Sequence, residues 1–214
     1  MDRRIADLRQ EYTAQSLHES DVASNPISQF EKWWQQAVAS EIKEPNAMIL
    51  ATASADGVPS ARVMLLKGFS NAGFLFFTNY KSFKAMQLDE NPKASLVFFW
   101  GELERQVRIV GLVSKADNAT NDDYFQSRPM GSRIGAWASP QSSVVESREW
   151  LDAQFDKLTE EYKNKEVVRP PHWGGYYVQP VLVEFWQGRP GRLHDRIQYT
   201  LQQDGTWKVE RLAP

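Results

Sequence analysis

The way short apolar runs are punctuated by turn signals limits this chain's fold more than any other feature. "AMILATAS" (47–54), "ADG" (55–57) and "VPSARVMLLKGF" (58–69) read as two strands joined in a hairpin. "SNAG" (70–73) is the next turn and "FLFFTN" (74–79) a third strand. "KASLVFFW" (93–100) and "RQVRIVGLVSKA" (105–116) are two more, joined by the tight "GELE" (101–104). "PVLVEFWQG" (180–188) and "RLHDRIQYTLQQ" (192–203) form a hairpin over "RPG" (189–191), and "QDGTW" (203–207) turns into a last strand, "WKVERL" (207–212). The count is about seven or eight short strands, mostly in hairpins, without the strand–helix alternation that a parallel sheet needs. The expected class is therefore mainly β with peripheral helices (α+β), built as an antiparallel barrel.

Helical periodicity fills the gaps. "NPISQFEKWWQQAVASEI" (25–42) spaces Phe30, Trp33, Trp34, Ala37 and Val38 on one face, with Pro26 near its start. "SFKAMQLDEN" (82–91) is a short helix stopped by Pro92, and "NATNDDYFQSR" (118–128) opens on N-cap candidates. "SSVVESREWLDAQFDKLTEEYKN" (142–164) is expected to be the longest helix, with Val144, Trp150, Phe155, Leu158 and Tyr162 on its apolar side. Residues 1–24 are polar and are expected to form a short helix and a mobile arm, leaving 25–214 as a single domain.

Composition narrows the function. A net charge of −2, from 25 basic and 27 acidic residues, gives no basic stripe for nucleic acid. There is no Cys, which removes disulfides, iron–sulfur clusters, thiol nucleophiles and Cys-based zinc sites. His18, His172 and His194 are far apart, so no metal site is expected. No apolar run is long enough to span a membrane, and "MDRRIADLRQEY" lacks the apolar stretch of a secretory signal, so a cytoplasmic location is expected.

Several segments carry groups that suit anions and flat rings. "RVMLLK" (62–67) places Arg62 and Lys67 at the two ends of an apolar strand, which also describes a strand with solvated ends. "FFTNYKSFK" (76–84) offers Thr78, Ser82 and Lys84 at a helix start, a geometry that favours phosphate but also serves plain capping. Gln106, inside "ERQVRIVG", can meet a heteroaromatic edge or simply face outward. "YFQSRPMGSRIGAW" (124–137) brings Tyr124, Arg128, Ser132 and Arg133 together, enough to grip one phosphate, or else a surface loop with solvated arginines. "SPQSS" (139–143) can cap the long helix, and Trp186 in "EFWQG" can be hairpin packing. In "GRLHDR" (191–196), Arg192, His194 and Arg196 alternate, so an extended strand would project all three from one face. Like charges at that spacing need an anion among them. Two phosphate-type sets plus ring-facing groups suit a phosphorylated cofactor with a phosphorylated substrate.

In combination "RVMLLK", "FFTN", "LERQVRIVG", "YFQSRP…SRIGAW", "QSS", "HWGGY", "EFWQG", "RLHDR" and the terminal "RLAP" resemble the pyridoxine/pyridoxamine 5′-phosphate oxidases over essentially the whole chain. The resemblance implies a homodimer of antiparallel split β-barrels with FMN at the subunit interface. It implies oxidation of pyridoxine 5′-phosphate or pyridoxamine 5′-phosphate to pyridoxal 5′-phosphate, with hydride passing from C4′ to flavin and O2 taken to hydrogen peroxide. By matching motif, FMN would be held by Arg62, Val63, Met64, Leu65, Leu66 and Lys67, by Phe77 and Thr78, and by Phe83 and Lys84. Gln106, Gln141, Ser142, Trp186 and Arg196 complete that set, with Arg196 near the flavin N1 and O2. The substrate phosphate would meet Lys67, Tyr124, Arg128 and Ser132. Arg192 and His194, the implied catalytic pair, would cover the pyridine and its C4′ substituent, and Arg9 and Tyr12 would fold over the site as a lid. Two positions depart from the family pattern: Phe83 stands where relatives often carry Arg, and Glu44 where they often carry Asp.

Overall fold

The computed structural model describes residues 11–214. The first turn signal closes a hairpin in which Ala47–Ala53 (β1) pairs with Pro59–Leu65 (β2), from Ala47↔Leu65 to Ala53↔Pro59. Gly57 holds the turn at φ 86°, a conformation that costs glycine little. The second run does not continue unbroken. Leu66 donates its N–H to Asn46 and Lys67 to Leu75, so the chain changes partner between them. Gly68–Ser70 (β3) is then a separate short strand on Gly73–Asn79 (β4).

After Phe83–Glu90 (α2), Lys93–Trp100 (β5) and Arg105–Lys115 (β6) form the long central hairpin. The other elements are Pro26–Val38 (α1), Asn118–Ser127 (α3), Met130–Ala138 (α4), Arg148–Glu161 (α5), Trp173–Gln187 (β7), Asp195–Leu201 (β8) and Trp207–Arg211 (β9). The nine strands join in one antiparallel sheet of order β2-β1-β5-β6-β7-β4-β3, with β8 on β7 and β9 on β8. The sheet curls into an antiparallel barrel with helices around it, as expected.

Four local expectations are corrected. Strand β7 starts at Trp173, not at Pro180. Its first half pairs with β4 as far as Val178 and its second half pairs with β8 from Leu182. Pro180 falls between the two partners, beside a bulge that leaves Val181 of β7 unpaired between Val110↔Leu182 and Gly111↔Pro180, so a residue without an N–H is tolerated there. The stretch after Pro129 is a helix, α4, rather than a surface loop. The long helix begins only at Arg148, capped by Ser147. Ser142 has φ 71° and Val144 is fully exposed, so the segment before it has neither helical backbone nor a surface to pack on.

The fourth correction concerns GRLHDR. Pro190–Arg192 form a 3-10 turn with Arg192 at φ 62°, and β8 begins at Asp195. His194 Nδ1 accepts the Arg189 N–H at 3.1 Å and closes that turn. Of the three alternating residues, only Arg196 lies on a strand.

Helix α1 packs its apolar face, Phe30, Trp33 and Ala37, into the main core and leaves its other face exposed. Asn25 caps it by accepting the Ile27 N–H at 2.8 Å. Phe30 is fully buried and meets Phe69, Phe74 and Phe98 edge-on at 4.9, 4.9 and 5.1 Å, geometries that aromatic quadrupoles favour. A smaller core gathers Phe125, Ile134, Val167 and Trp173 under α3, α4 and α5. Residues 11–24 contain no helix and run along the sheet. Leu17 is buried, its N–H donates to Asp195 at 3.0 Å, and Tyr199 donates its hydroxyl proton to the Ala23 carbonyl at 2.6 Å.

Phe30→Ala is expected to lower unfolding stability by about 3–5 kcal/mol, the usual cost of emptying a large aromatic site. Val144→Ala should stay within about 0.5 kcal/mol. Urea denaturation followed by tryptophan emission measures both, and a large loss at Val144 would restore the longer helix.

Candidate active site

A cavity of about 660 Å³ opens between β2, β4, β7 and the α3–α4 pair. One wall is a ring stack. Phe77 lies 4.0 Å from Tyr124 and 5.3 Å from Trp173, all three nearly parallel. Arg128 follows α3 directly, and Pro129 starts α4 behind it. That junction lays its guanidinium over Trp173, 4.6 Å from the ring centroid. Its Nη1 is buried and has no hydrogen-bond partner among the described residues. Burial lowers its pKa, with Tyr124 acting weakly the other way. An unpaired buried donor on a cationic group calls for an anionic acceptor. Ser132 and Lys67 line the same cavity.

A second cationic corner joins through Thr78. Thr78 donates its hydroxyl proton to Gln141 Oε1 at 3.1 Å and accepts from Lys84 Nζ at 3.2 Å. Lys84 is only 7% exposed and also reaches Ser82 Oγ at 3.4 Å. Arg62 is half-buried and donates to Leu50 O, Thr52 Oγ1 and Ser60 Oγ. Neither cation has a carboxylate partner among the described residues. Burial, and then the Arg62 charge, lower the Lys84 pKa; burial lowers that of Arg62. Two interior cations with no counter-ion form a seat for a dianion.

A separate cluster lies where β7 meets β8. Gln106, Trp186 and Arg196 fall in one cross-strand row. Arg196 donates through Nε and Nη2 to Glu184 at 2.8 and 3.1 Å, and through Nη1 to the Ala213 carbonyl at 2.8 Å. Glu184 also accepts from Arg108 at 3.0 Å. Hydrogen bonding to Glu184 raises the Arg196 pKa. The Trp186 and His194 rings are 4.6 Å apart, with Tyr12 edge-on to both at 5.7 and 5.8 Å. Tyr12 fits because position 188 is glycine, where a Cβ would stand 2.7 Å from the Tyr12 ring. Burial and the neighbouring Arg192 lower the His194 pKa.

The expected residues therefore divide. Val63, Met64, Leu65, Lys67, Phe77, Thr78, Tyr124, Arg128, Ser132 and Gln141 share the cavity. Lys84, joined to the lining through Thr78, and Arg62 form a cationic corner behind the cavity lining, and Ser142 follows Gln141 in the adjoining loop. Leu66 is buried in the main core, and Phe83 is half exposed on the first turn of α2, outside the cavity lining. Gln106, Trp186, Arg192, His194, Arg196 and Tyr12 are not part of the cavity lining. Arg9 lies outside the described residues. Sequence reasoning missed Trp173 and Asn79, which line the cavity, and Glu184, which holds Arg196. The "HWGGY" glycines were the available signal for Trp173: a Cβ at Gly174 would stand 2.1 Å from the Tyr80 hydroxyl, so this strand packs closely against its neighbours.

A curled antiparallel sheet with a ring-walled cavity, and interior cations that lack a carboxylate partner among the described residues, defines a split-barrel protein. Comparison with known proteins narrows the class. A family model described as pyridoxamine 5′-phosphate oxidase matches residues 34–162, and one described as the pyridoxine 5′-phosphate oxidase C-terminal dimerisation region matches 173–214. The pyridoxine/pyridoxamine 5′-phosphate oxidase of Nostoc punctiforme is 55% identical over the full length of both chains. That of a Cyanothece species is 57% identical over 98% of each. The crystal structure of PhzG from Burkholderia lata, in complex with tetrahydrophenazine-1-carboxylic acid, superposes with a TM-score of 0.88 at 31% identity, covering 94% of this chain and 99% of that one. The chain belongs to the pyridoxamine 5′-phosphate oxidase family.

The lowered Lys84 pKa fixes the sign of a pH effect. As pH rises from neutral through that value, the folded protein gives up a proton that the unfolded chain still holds. Ligand-free stability therefore rises across that window, while anion binding weakens. At neutral pH, Lys84→Met should melt about 2–4 °C above the wild type in the absence of anion, the shift that ~1 kcal/mol gives in a chain of this size. Inorganic phosphate or FMN should raise the wild-type melting temperature and leave the variant almost unmoved. Scanning calorimetry with and without anion measures both effects.

Proposed function

We propose that this chain oxidises pyridoxine 5′-phosphate and pyridoxamine 5′-phosphate to pyridoxal 5′-phosphate, with FMN as its cofactor and O2 as final acceptor, giving hydrogen peroxide. The observation that carries this reading is the pair of cationic groups beside one ring-walled cavity: Arg62 with Lys84, and Arg128, whose buried Nη1 has no partner among the described residues. One small monoanion would not call for both.

The residues present fit FMN. Arg62, Lys84 and Thr78 would hold its phosphate, with Val63, Met64, Leu65, Gln106, Gln141, Ser142, Trp186 and Arg196 around the rest. FMN supplies the two-electron acceptor when bound. Lys67, Tyr124, Arg128 and Ser132 take the substrate phosphate. Arg192 and His194 orient the substituent that is oxidised. In the neutral ring, His194 Nδ1 is occupied as an acceptor, so Nε2 carries the proton and donates. Its lowered pKa favours that neutral form. Arg196, fixed by Glu184, would hold the ring of a bound FMN with its guanidinium. Tyr12, packed edge-on against Trp186 and His194, closes over the filled site in this reading. The absence of cysteine suits a cytoplasmic enzyme.

The site needs two copies of the chain. Trp173 at the cavity and Trp186 in the second cluster stand thirteen residues apart on one strand, roughly 40 Å along it at about 3.3 Å per residue. None of the Trp186 cluster lines the cavity within the same chain. The outer sheet face offers the contact: Val63 is 68% and Phe99 61% exposed, and Ile49 and Val110 are also open. In the homodimer, one protomer supplies the cavity and its partner the Trp186 cluster, with FMN between them.

Oxygen uptake with either phosphorylated vitamer and added FMN tests the activity, and no uptake with both would sink it. Arg192→Ala should lower turnover while the protein stays yellow. Arg128→Ala mixed and refolded with Arg192→Ala should recover about a quarter of wild-type turnover, because half the dimers then contain one intact composite site. No recovery would mean that each chain builds its own site.

A further inference from the structure

Beneath Arg62 lies a buried polar relay that the mechanism above leaves unused. Thr52 on β1 and Ser60 on β2 are cross-strand partners. Arg62 Nη1 donates to Thr52 Oγ1 at 2.7 Å and to the Leu50 carbonyl at 3.2 Å; Nη2 donates to Ser60 Oγ at 2.5 Å. A guanidinium has donors only, so both hydroxyls act as acceptors towards it. Each must then send its single proton elsewhere. Both send it to one atom, Gln87 Oε1, 2.6 Å from Thr52 Oγ1 and 2.6 Å from Ser60 Oγ.

Gln87 sits on α2 and is 3% exposed. Its Nε2 donates to the Val58 carbonyl at 3.4 Å, which fixes the amide with oxygen toward the hydroxyls. Lys84 is one helical turn earlier on α2. One short helix therefore carries one cation of the corner and the acceptor that sets the other. Nε–H and the second Nη2–H of Arg62 have no partner among the described residues, which leaves two donors for a ligand.

We propose that Gln87 is a positioning residue for phosphate recognition: through Thr52 and Ser60 it orients the Arg62 guanidinium toward the FMN phosphate. The proposal rests on the reading that Arg62 binds that phosphate. A long side chain held in place before the ligand arrives loses less conformational freedom on binding. Without Gln87 Oε1, the hydroxyl protons turn back toward the guanidinium and the guanidinium swings away.

FMN and riboflavin separate positioning from folding, because riboflavin lacks the phosphate. Titration of the full-length apoprotein, followed by quenching of flavin fluorescence, gives both dissociation constants. Gln87→Leu is expected to weaken FMN about tenfold and riboflavin less than about twofold, in keeping with loss of a buried acceptor. In the Arg62→Ala background the same substitution should add less than about twofold, since the coupled partner is gone. An unchanged preference for FMN over riboflavin in Gln87→Leu, or equal weakening of both flavins, overturns the proposal. If Gln87→Leu does not fold, Thr52→Val removes one relay hydroxyl and should reduce the preference about threefold; no reduction overturns the proposal equally. Arg62→Ala alone must reduce the preference; if it does not, the assignment of Arg62 to the phosphate falls, and the role of Gln87 with it.

Discussion

Strand β7 has fifteen residues and three strand partners. Strand β6 accompanies it along one edge, while β4 and β8 share the other. A strand of this length cannot stay straight in a twisted sheet. It bends at the bulge beside Pro180 and carries the sheet round into a barrel. The ring wall stands at one end of β7 and the Trp186 cluster at the other. In the proposed assembly this spacing makes the dimer part of the chemistry, because two halves of a site separated by a strand's length meet only through a second copy.

The charges follow a different logic from the core. Most interior polar groups here answer one another: Arg105, buried, is shared among Gln15, Gln36 and Gln187 and stacks on Trp33, and Glu184 serves two arginines. Arg62, Lys84 and Arg128 are exceptions. Their pKa values are lowered because burial removes water, for Lys84 also because Arg62 is near, and no carboxylate among the described residues pairs with them. A folded chain holds cations in that state at some cost to its stability, and violations of this kind concentrate where a ligand completes the structure.

The hairpins were legible because glycine-bearing turns, Ala55–Gly57 and Gly101–Glu104, separate their apolar strands. The site's chemistry was legible as residue types, and the resemblance grouped them. Their geometry was less so. Arg192, His194 and Arg196 alternate as strand residues do, yet a single hydrogen bond from the Arg189 N–H to His194 stabilises a turn instead. Pro180 hid the first half of β7, since a proline ends a strand unless the ladder changes partner there. Val144 matched the helical period, but periodicity does not register the left-handed backbone at Ser142. Gln87 gave no sign at all: only the fold brings it under two hydroxyls that lie 27 and 35 positions away in the chain.

The parallel stack of Phe77, Tyr124 and Trp173 has an optical consequence. Flavins absorb where indole emits, and Trp173 lines the cavity itself. In the proposed complex, excitation reaching that indole passes to the isoalloxazine instead of leaving as light, so Trp173 is a built-in emitter that reports the filling of the cavity.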